Sequence, residues 1–412
     1  MFHFPLCFAL LTLTALTCAC VCTTASKHAD STAEMVAPSK QPAPSKQPDF
    51  SSPQPNKIEH AYAQNVSQAQ HDPVHSASPS QPLASPQPHD TFIQLDNVKT
   101  WYDDVRDHTD TNYLVDAFRA NQYDPGPDAY AFIAEIKTDS KNRESYKFYS
   151  YKDSAFIYSL TPDGEERFWP ASTVKLTAAV MALMRAESFG VSVDDPVTFV
   201  ELGETVNSTL RKLVRDAIIP SDNQAYNALM LITGLDRAND AYIRNTFYFP
   251  SMVLQRRYFR KAKEDDLRHS PRFTFDHNGK MIIIPEETST HYFEHVPREA
   301  NATTLVELAE ILRRVMTGDM LSLTEDHLTL LRDALLEAPS CIGNGVERAL
   351  PGARIYNKGG RVIGDDRLEV AYITDKNNKP KYLLALSLPY TDDVEFRTQE
   401  FAWQLIHALQ IK

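Results

Sequence analysis

The chain predicts an α+β fold, an antiparallel β-sheet flanked by helices plus an all-helical subdomain. Three observations carry this. Segments that alternate apolar and polar residues with period two stand near both ends of the folded part. Segments of helical period fill its middle, and the chain closes on one more of them. Strands so far apart in sequence form one layer only when a single sheet is completed from two distant segments, with helices packed on its faces.

The elements follow in order. Residues 1–26, MFHFPLCFALLTLTALTCACVCTTAS, hold an apolar run followed by small residues. That is the pattern of an export signal rather than of a spanning helix, although only His3 and the amino terminus supply positive charge ahead of it. Four of the five cysteines, Cys7, Cys18, Cys20 and Cys22, lie in or beside this run. The folded part therefore holds only Cys341 and no internal disulfide. The cluster ALTCACVC resembles a bacterial lipoprotein signal, which implies lipidation at Cys18, Cys20 or Cys22 and a membrane attachment. Plain secretion and an uncleaved anchor stay open beside it. Residues 27–90 are rich in Pro, Ser, Gln and Ala and contain PSKQPAPSKQP. Such a stretch buries too little apolar surface to offset its ordering entropy, and it reads as a disordered, semi-extended tether.

The folded part spans 91–412. FIQLDNVKTWYDDVRDH reads as an amphipathic helix with Ile93, Val98, Trp101 and Val105 toward the core. AYAFIAEIKT, YKFYSYKD and SAFIYSLTPDG alternate as strands, the last ending on a PDG turn. TVKLTAAVMALMRAESFG, NSTLRKLVRDAII and QAYNALMLIT are helical. TTLVELAEILRRVM opens with a capping box from Thr304 to Glu307, and its Leu305, Leu308, Ile311, Leu312 and Val315 share one face. LTLLRDALLEA continues the helical block. ARIYNKGG, RLEVAYITD and KYLLALSLP return to strands, and VEFRTQEFAWQLIHALQ is the closing helix. Residues 247–298, charged and aromatic, match no period and read as an insertion or a large loop near the site.

Composition narrows the function. The net charge is −12 and no long basic block occurs, which excludes a typical nucleic-acid binder. There is no GxSxG elbow, no HExxH and no Cys/His spacing suited to zinc, so neither metal nor cofactor is implied. Cys341 reads as a core residue.

Three short motifs stand in order: Ser172-Thr-Val-Lys175 opening a helix, Ser221-Asp222-Asn223 at a break between helices, and Lys358-Gly359-Gly360 on a strand followed by another. Taken singly, Ser172 is an ordinary helix start, SDN a helix cap and Lys358 a solvated strand residue. Together they suit nucleophilic chemistry. A serine hydroxyl is a poor nucleophile until a base takes its proton. Lys175, one turn on and partly desolvated, can be that base or relay to one.

In this order and context the motifs resemble the serine β-lactamase and penicillin-binding protein superfamily, most closely the class A β-lactamases. PASTVKLTAAVMAL, VRDAIIPSDNQAYNALM, ATTLVELAEILRRVMTGD and the strand pair around NKGG extend the likeness from about Tyr130 to the carboxyl terminus. The resemblance implies Ser172 as nucleophile, Lys175 as general base, Ser221 as proton relay and Asn223 as positioner of substrate and lysine. It implies Lys358 as an electrostatic partner, with the backbone N–H groups of Ser172 and Arg361 facing the oxyanion. The substrate would be a β-lactam or a peptidoglycan peptide, and the protein a monomer in the periplasm or cell envelope.

Two departures stand out. The family usually places Ser or Thr after the strand lysine to bind the substrate carboxylate; here Gly359 and Gly360 follow, and Arg367 is the candidate anion anchor. The ExxLN motif, whose Glu activates the hydrolytic water, has no full copy between Asn223 and Thr303. EDDLR keeps its ExxL part, with Glu264 as a displaced base or, beside Asp265 and Asp266, as one of an exposed cluster, and Arg268 in place of Asn. Three readings remain: a β-lactamase, a D,D-peptidase or slow penicillin binder, and a catalytically impaired cell-wall binding domain.

Overall fold

The computed structural model describes residues 101–156, 170–256, 258, 268–290, 301–319, 321–361 and 366–411. The export signal, the tether, Ile93, Val98 and the Glu264–Asp266 cluster lie outside the described residues. No helix among the described residues is long and apolar enough to cross a membrane.

Nine α-helices carry labels here: α1 Trp101–His108, α2 Tyr113–Ala120, α3 Lys175–Glu187, α4 Leu210–Ile218, α5 Asn223–Thr233, α6 Leu305–Thr317, α7 Glu325–Glu337, α8 Gly343–Ala349 and α9 Val394–Gln410. The first five strands are β1 Thr109–Asp110, β2 Tyr130–Thr138, β3 Glu144–Ser150, β4 Pro196–Glu201 and β5 Glu204–Thr209. Four short or peripheral strands follow as β6 Val253–Leu254, β7 His269–Ser270, β8 Phe273–His277 and β9 Lys280–Ile284. The last five are β10 Glu287–Thr288, β11 Asn301–Ala302, β12 Arg354–Arg361, β13 Asp366–Thr374 and β14 Pro380–Pro389.

The six-stranded sheet has the order β1-β3-β2-β14-β13-β12, antiparallel except for the two-residue contact of β1 with β3. Its centre joins the distant halves expected from the sequence: β14 pairs with β2, Tyr382 opposite Glu135 and Leu386 opposite Ala131. Period two sorts the strand side chains between two cores. Phe132, Ala134, Phe148, Val370, Tyr372, Leu383 and Ala385 face the helical block around α3, α5 and α6. Ala131, Ile133, Tyr149, Ala371, Ile373, Leu384 and Leu386 face the layer of α2, α8 and α9 through Phe118, Val346, Phe401 and Leu405. Trp101 and Val105 of α1 are buried, as are Leu305, Leu308, Ile311, Leu312 and Val315 of α6, and both halves of the Thr304–Glu307 capping box form.

Three local outcomes differ from the sequence reading. SAFIYSLTPDG begins as a single 3-10 turn, Ser154–Phe156, and its remainder lies outside the described residues. Residues Asn207–Thr209 extend β5 instead of opening a helix; Thr209 then caps α4 by accepting the N–H of Lys212 at 3.1 Å. Beside the helical block stands a second sheet of order β5-β4-β8-β9, assembled partly from the unassigned 247–298 segment. Its Phe199 and Phe273 rings meet at 4.7 Å, which ties that segment to the core.

Two buried carboxylates on α6 fasten the beginning of the same segment. Glu307 accepts the N–H groups of Ser251 (2.7 Å) and Met252 (3.1 Å). Glu310 pairs with Arg314 at 2.7 Å, and Arg314 donates in turn to the carbonyl of Phe247 at 2.9 Å.

Candidate active site

Ser172 lies in a 3-10 turn, Ala171–Val174, that runs directly into α3. It is half-buried, and its side chain does not cap the helix. The residue before it, Ala171, adopts φ +46°. This left-handed conformation costs a residue with a Cβ on the order of 1–3 kcal/mol and is typically kept where a site needs a particular backbone path. Ser221 shows the same feature, with φ +60°, at the break between α4 and α5. There the Asp222 carboxylate accepts the N–H of Ala225 at 2.7 Å and caps α5, which leaves Ser221 and Asn223 to face Lys175.

Lys175 is completely buried. Its Nζ donates to the Ser221 carbonyl, to Asn223 Oδ1 at 2.7 Å and to Ser221 Oγ at 3.3 Å. Burial lowers its pKa to about 8, and the Asp222 carboxylate partly opposes that shift. Lys358, on β12, donates from Nζ to the same Ser221 Oγ at 3.0 Å and to the carbonyl of Gly359 at 2.7 Å. Its pKa is lowered to about 7, mainly by burial and next by the charge of Lys175. Two lysines thus converge on one hydroxyl, and burial shifts both toward their neutral forms.

Strand β12 presses on the turn that carries Ser172. A Cβ added at Gly360 would stand 3.1 Å from Ala171 Cβ and 3.2 Å from the Pro170 carbonyl oxygen, so a side chain here would need the Ser172 turn to give by a few tenths of an ångström. Gly359 is also tightly placed. It pairs across the strands with Glu369, whose Oε2 lies 3.2 Å from the place of a Cβ at 359. The Glu369 carboxylate is fixed there by Ser340 Oγ at 2.6 Å, Cys341 N at 3.1 Å and Cys341 Sγ at 2.8 Å. Burial raises the pKa of both Glu369 and Cys341. Arg361 is exposed and turns its side chain to Tyr390, donating to the hydroxyl at 2.9 Å. Arg367 lies on the face of β13 shared with Glu369, and its charge acts on Cys341, Glu369 and Lys358. Its Nε is buried with no partner. The strand motif, the SDN triplet and the Ser-x-x-Lys turn therefore lie together in the structure.

Tyr258 is a neighbour that sequence reasoning missed. Its ring lies over Lys175 Nζ, 5.6 Å from the ring centre, and its hydroxyl donates to the Ala171 carbonyl at 2.8 Å. The only available signal was an aromatic residue inside the basic run QRRYFR, within a segment without periodicity. Glu369 was missed as well, because cross-strand register is not written in any local motif.

The Ser172 turn, the Ser221–Asn223 triplet and Lys358, set between a helical block and one antiparallel sheet, have the arrangement of the serine β-lactamase and penicillin-binding type. The family model described as the beta-lactamase enzyme family matches residues 133–395, and the chain belongs to that family. Among solved structures, it is similar to a class A β-lactamase from Bacteroides cellulosilyticus, with 12% identity, 73% of this chain and 99% of that chain covered, and a TM-score of 0.49. It is also similar to a PBP-A mutant in an acyl-enzyme complex with penicillin G, at 16% identity, 74% and 98% coverage and a TM-score of 0.48. A β-lactamase from Sphaerobacter thermophilus gives 17% identity, 74% and 99% coverage and a TM-score of 0.48. No curated protein sequence matches the chain.

Proposed function

We propose that Ser172 is acylated by a β-lactam, or by a D-Ala-D-Ala-like amide, and that the protein is a class A-like serine hydrolase of such bonds. The observation that carries this is Lys175: buried, held by Ser221 and Asn223, and shifted toward its neutral form. A neutral amine has a lone pair with which to take the Ser172 proton. The Ser172 oxygen then bonds to the carbonyl carbon, and the C–N bond breaks as the proton passes through Ser221 to the departing nitrogen. Lys358, on the same hydroxyl, favours that transfer electrostatically.

The oxyanion would sit between the backbone N–H groups of Ser172 and Arg361; the close approach of Gly360 to the Ser172 turn supports this. Losing one such donor costs about 3–4 kcal/mol in the transition state. Gly359 and Gly360 would line the substrate groove, with Arg367 as the anchor for a substrate anion. A second reading, a penicillin-binding D,D-peptidase or slow-deacylating binder, draws support from the carboxylate that acts on Lys175: Asp222, already committed as a helix cap.

Turnover of a chromogenic cephalosporin, together with mass-spectrometric detection of a covalent adduct, tests the reading. The protein should form a Ser172 adduct, and Ser172→Ala should abolish both adduct and turnover. An alanine variant that still reacts would sink the assignment. The amino-terminal sequence further supports export and a lipid anchor at Cys18, Cys20 or Cys22. Fractionation of cells fed a labelled fatty acid checks that point: label missing from the protein refutes the anchor.

A further inference from the structure

Strand β9 ends the second sheet, and no strand among the described residues pairs with its outer edge. The β8–β9 hairpin fixes which groups lie on that edge. Asn278 and Gly279 form its two-residue turn with φ +55° and +81°, the conformation that a type I′ turn demands and Asn-Gly supplies. His277 and Lys280 flank the turn as a hydrogen-bonded pair. Bonded and non-bonded pairs alternate along antiparallel strands, so Phe275 with Ile282 and Phe273 with Ile284 are bonded too. The N–H and C=O groups of Met281 and Ile283 therefore point away from β8, to the outer edge. Their side chains are exposed as well, at 58% and 39%, while Ile282 and Ile284 pack inward.

Natural sheets blunt such an edge with charge, proline or a bulge. Here Lys280 and Pro285 stand only at its ends, and the stretch between them, Met281–Ile284, is apolar. Those ends also select a partner. Two copies of β9 laid antiparallel, with Ile282 opposite Ile282, put Met281 of each opposite Ile283 of the other. Two edge residues on each copy then match four donors to four acceptors, and all the outward groups are bonded. Sliding the pairing by two residues either way fails. It sets an edge residue against Gly279, inside the turn, or against Pro285, which has no N–H. Charge favours the same register: it carries the exposed Lys280 of one copy to the end where the exposed Glu286 of the other follows Ile284.

The geometry points to the β9 edge as a self-association surface, on which a second copy of this chain pairs antiparallel about Ile282 and joins two four-stranded sheets into one. Met281 and Ile283 of the two copies then cover one another on the exposed face. An edge contact over five residues is smaller than a standard interface of about 1,200 Å² or more, so the dimer exchanges with monomer and its share rises with concentration. Nothing in this pairing depends on the Ser172 chemistry.

Sedimentation velocity on the full chain, from low to high micromolar protein, reads the mass, and hydrogen exchange on the same samples reads the edge amides. The wild type should pass from monomer to dimer. As it does, exchange in peptides covering Met281 and Ile283 should slow at least about tenfold. Ile283→Pro removes an edge donor that the hairpin itself does not use, and it should leave a folded monomer. Charge pairs test the register. Met281→Lys with Ile283→Lys sets like charges opposite each other and should abolish the dimer, whereas Met281→Glu with Ile283→Lys sets Glu opposite Lys and should keep it. Thermal midpoints show that each variant is folded, and the wild-type exchange data need no variant. A wild type that stays monomeric across the range overturns the proposal; if its edge amides are protected all the same, the chain covers the edge itself. A dimer that survives in the proline or the double-lysine variant overturns it too, because the interface then lies elsewhere. Loss of the dimer in the folded Glu/Lys variant overturns the pairing about Ile282.

Discussion

Glu369 crowds the point at which a side chain at position 359 would begin, with its Oε2 3.2 Å from the place of that Cβ. The two residues face each other across β12 and β13, and three donors keep the carboxylate from retreating. The glycine after the strand lysine is therefore the counterpart of a particular buried acid.

Gly359→Ser should destabilise the fold by about 1–3 kcal/mol, the usual cost of overpacking. Combined with Glu369→Ala, the serine should cost less than it does alone. A double-mutant cycle by chemical denaturation should give a coupling of at least about 0.5 kcal/mol. Simple additivity would show that the two positions are independent.

Lys175→Arg tests whether Lys175 acts as a base or only as a charge. Arginine keeps the cation but does not give up its proton in proteins. Acylation should fall about 10²–10⁴-fold in both Lys175→Arg and Lys175→Met, the usual worth of general base catalysis. An arginine variant close to wild type in stopped-flow labelling would leave electrostatics as the only role.

Acylation should rise with pH, because the productive form of Lys175 is neutral and its pKa lies at about 8. Below that value the rate should drop about tenfold per pH unit, the slope for loss of one proton. A pH-independent labelling rate between 6 and 9 contradicts the assignment.

Glu307 gives a stability signature of opposite sense to the lysines. Its burial raises the carboxyl pKa to about 7, above the unfolded value of 4.5, so this contribution is full below 4.5 and is lost as pH rises through 7. Lys175 and Lys358 have folded pKa values below the unfolded 10.5. Their contributions are present above 10.5 and are lost as pH falls toward about 8 and about 7. Glu307→Gln should lower stability overall yet flatten its decline between pH 4.5 and 7, read from denaturation midpoints across that range. An undiminished decline in the variant would exclude Glu307 as the source.

Glu310→Ala should cost about 3–5 kcal/mol, because it strands the fully buried Arg314 without its partner. Arg314 also holds Phe247, so chain cleavage by a protease should concentrate after that residue in the variant. Unaltered protease sensitivity would show that the segment is held by other contacts.

Much of this architecture was legible because burial imposes period two on β2, β3 and β12–β14 and a helical period on α3 and α6. The three motifs were legible because each pairs a reactive side chain with a local backbone feature: a helix start, a helix break, a strand. Tyr258 and Glu369 were not. Both reach the site through contacts between distant segments, one from an aperiodic stretch and one through strand register. The second sheet escaped for a related reason. Strand β4 finds part of its partnership in β8, and no local pattern announces a pairing across that gap.

Because β14 is the strand that joins β2 and β3 to β13 and β12, the Ser172 turn and Lys358 are brought into one site by a strand that follows both in sequence. Contacts so distant in sequence form slowly, since a long loop must close before they reward the chain. Ser221 lies far from β12 in sequence, and Lys358 reaches its hydroxyl only through the strand order that β13 and β14 complete.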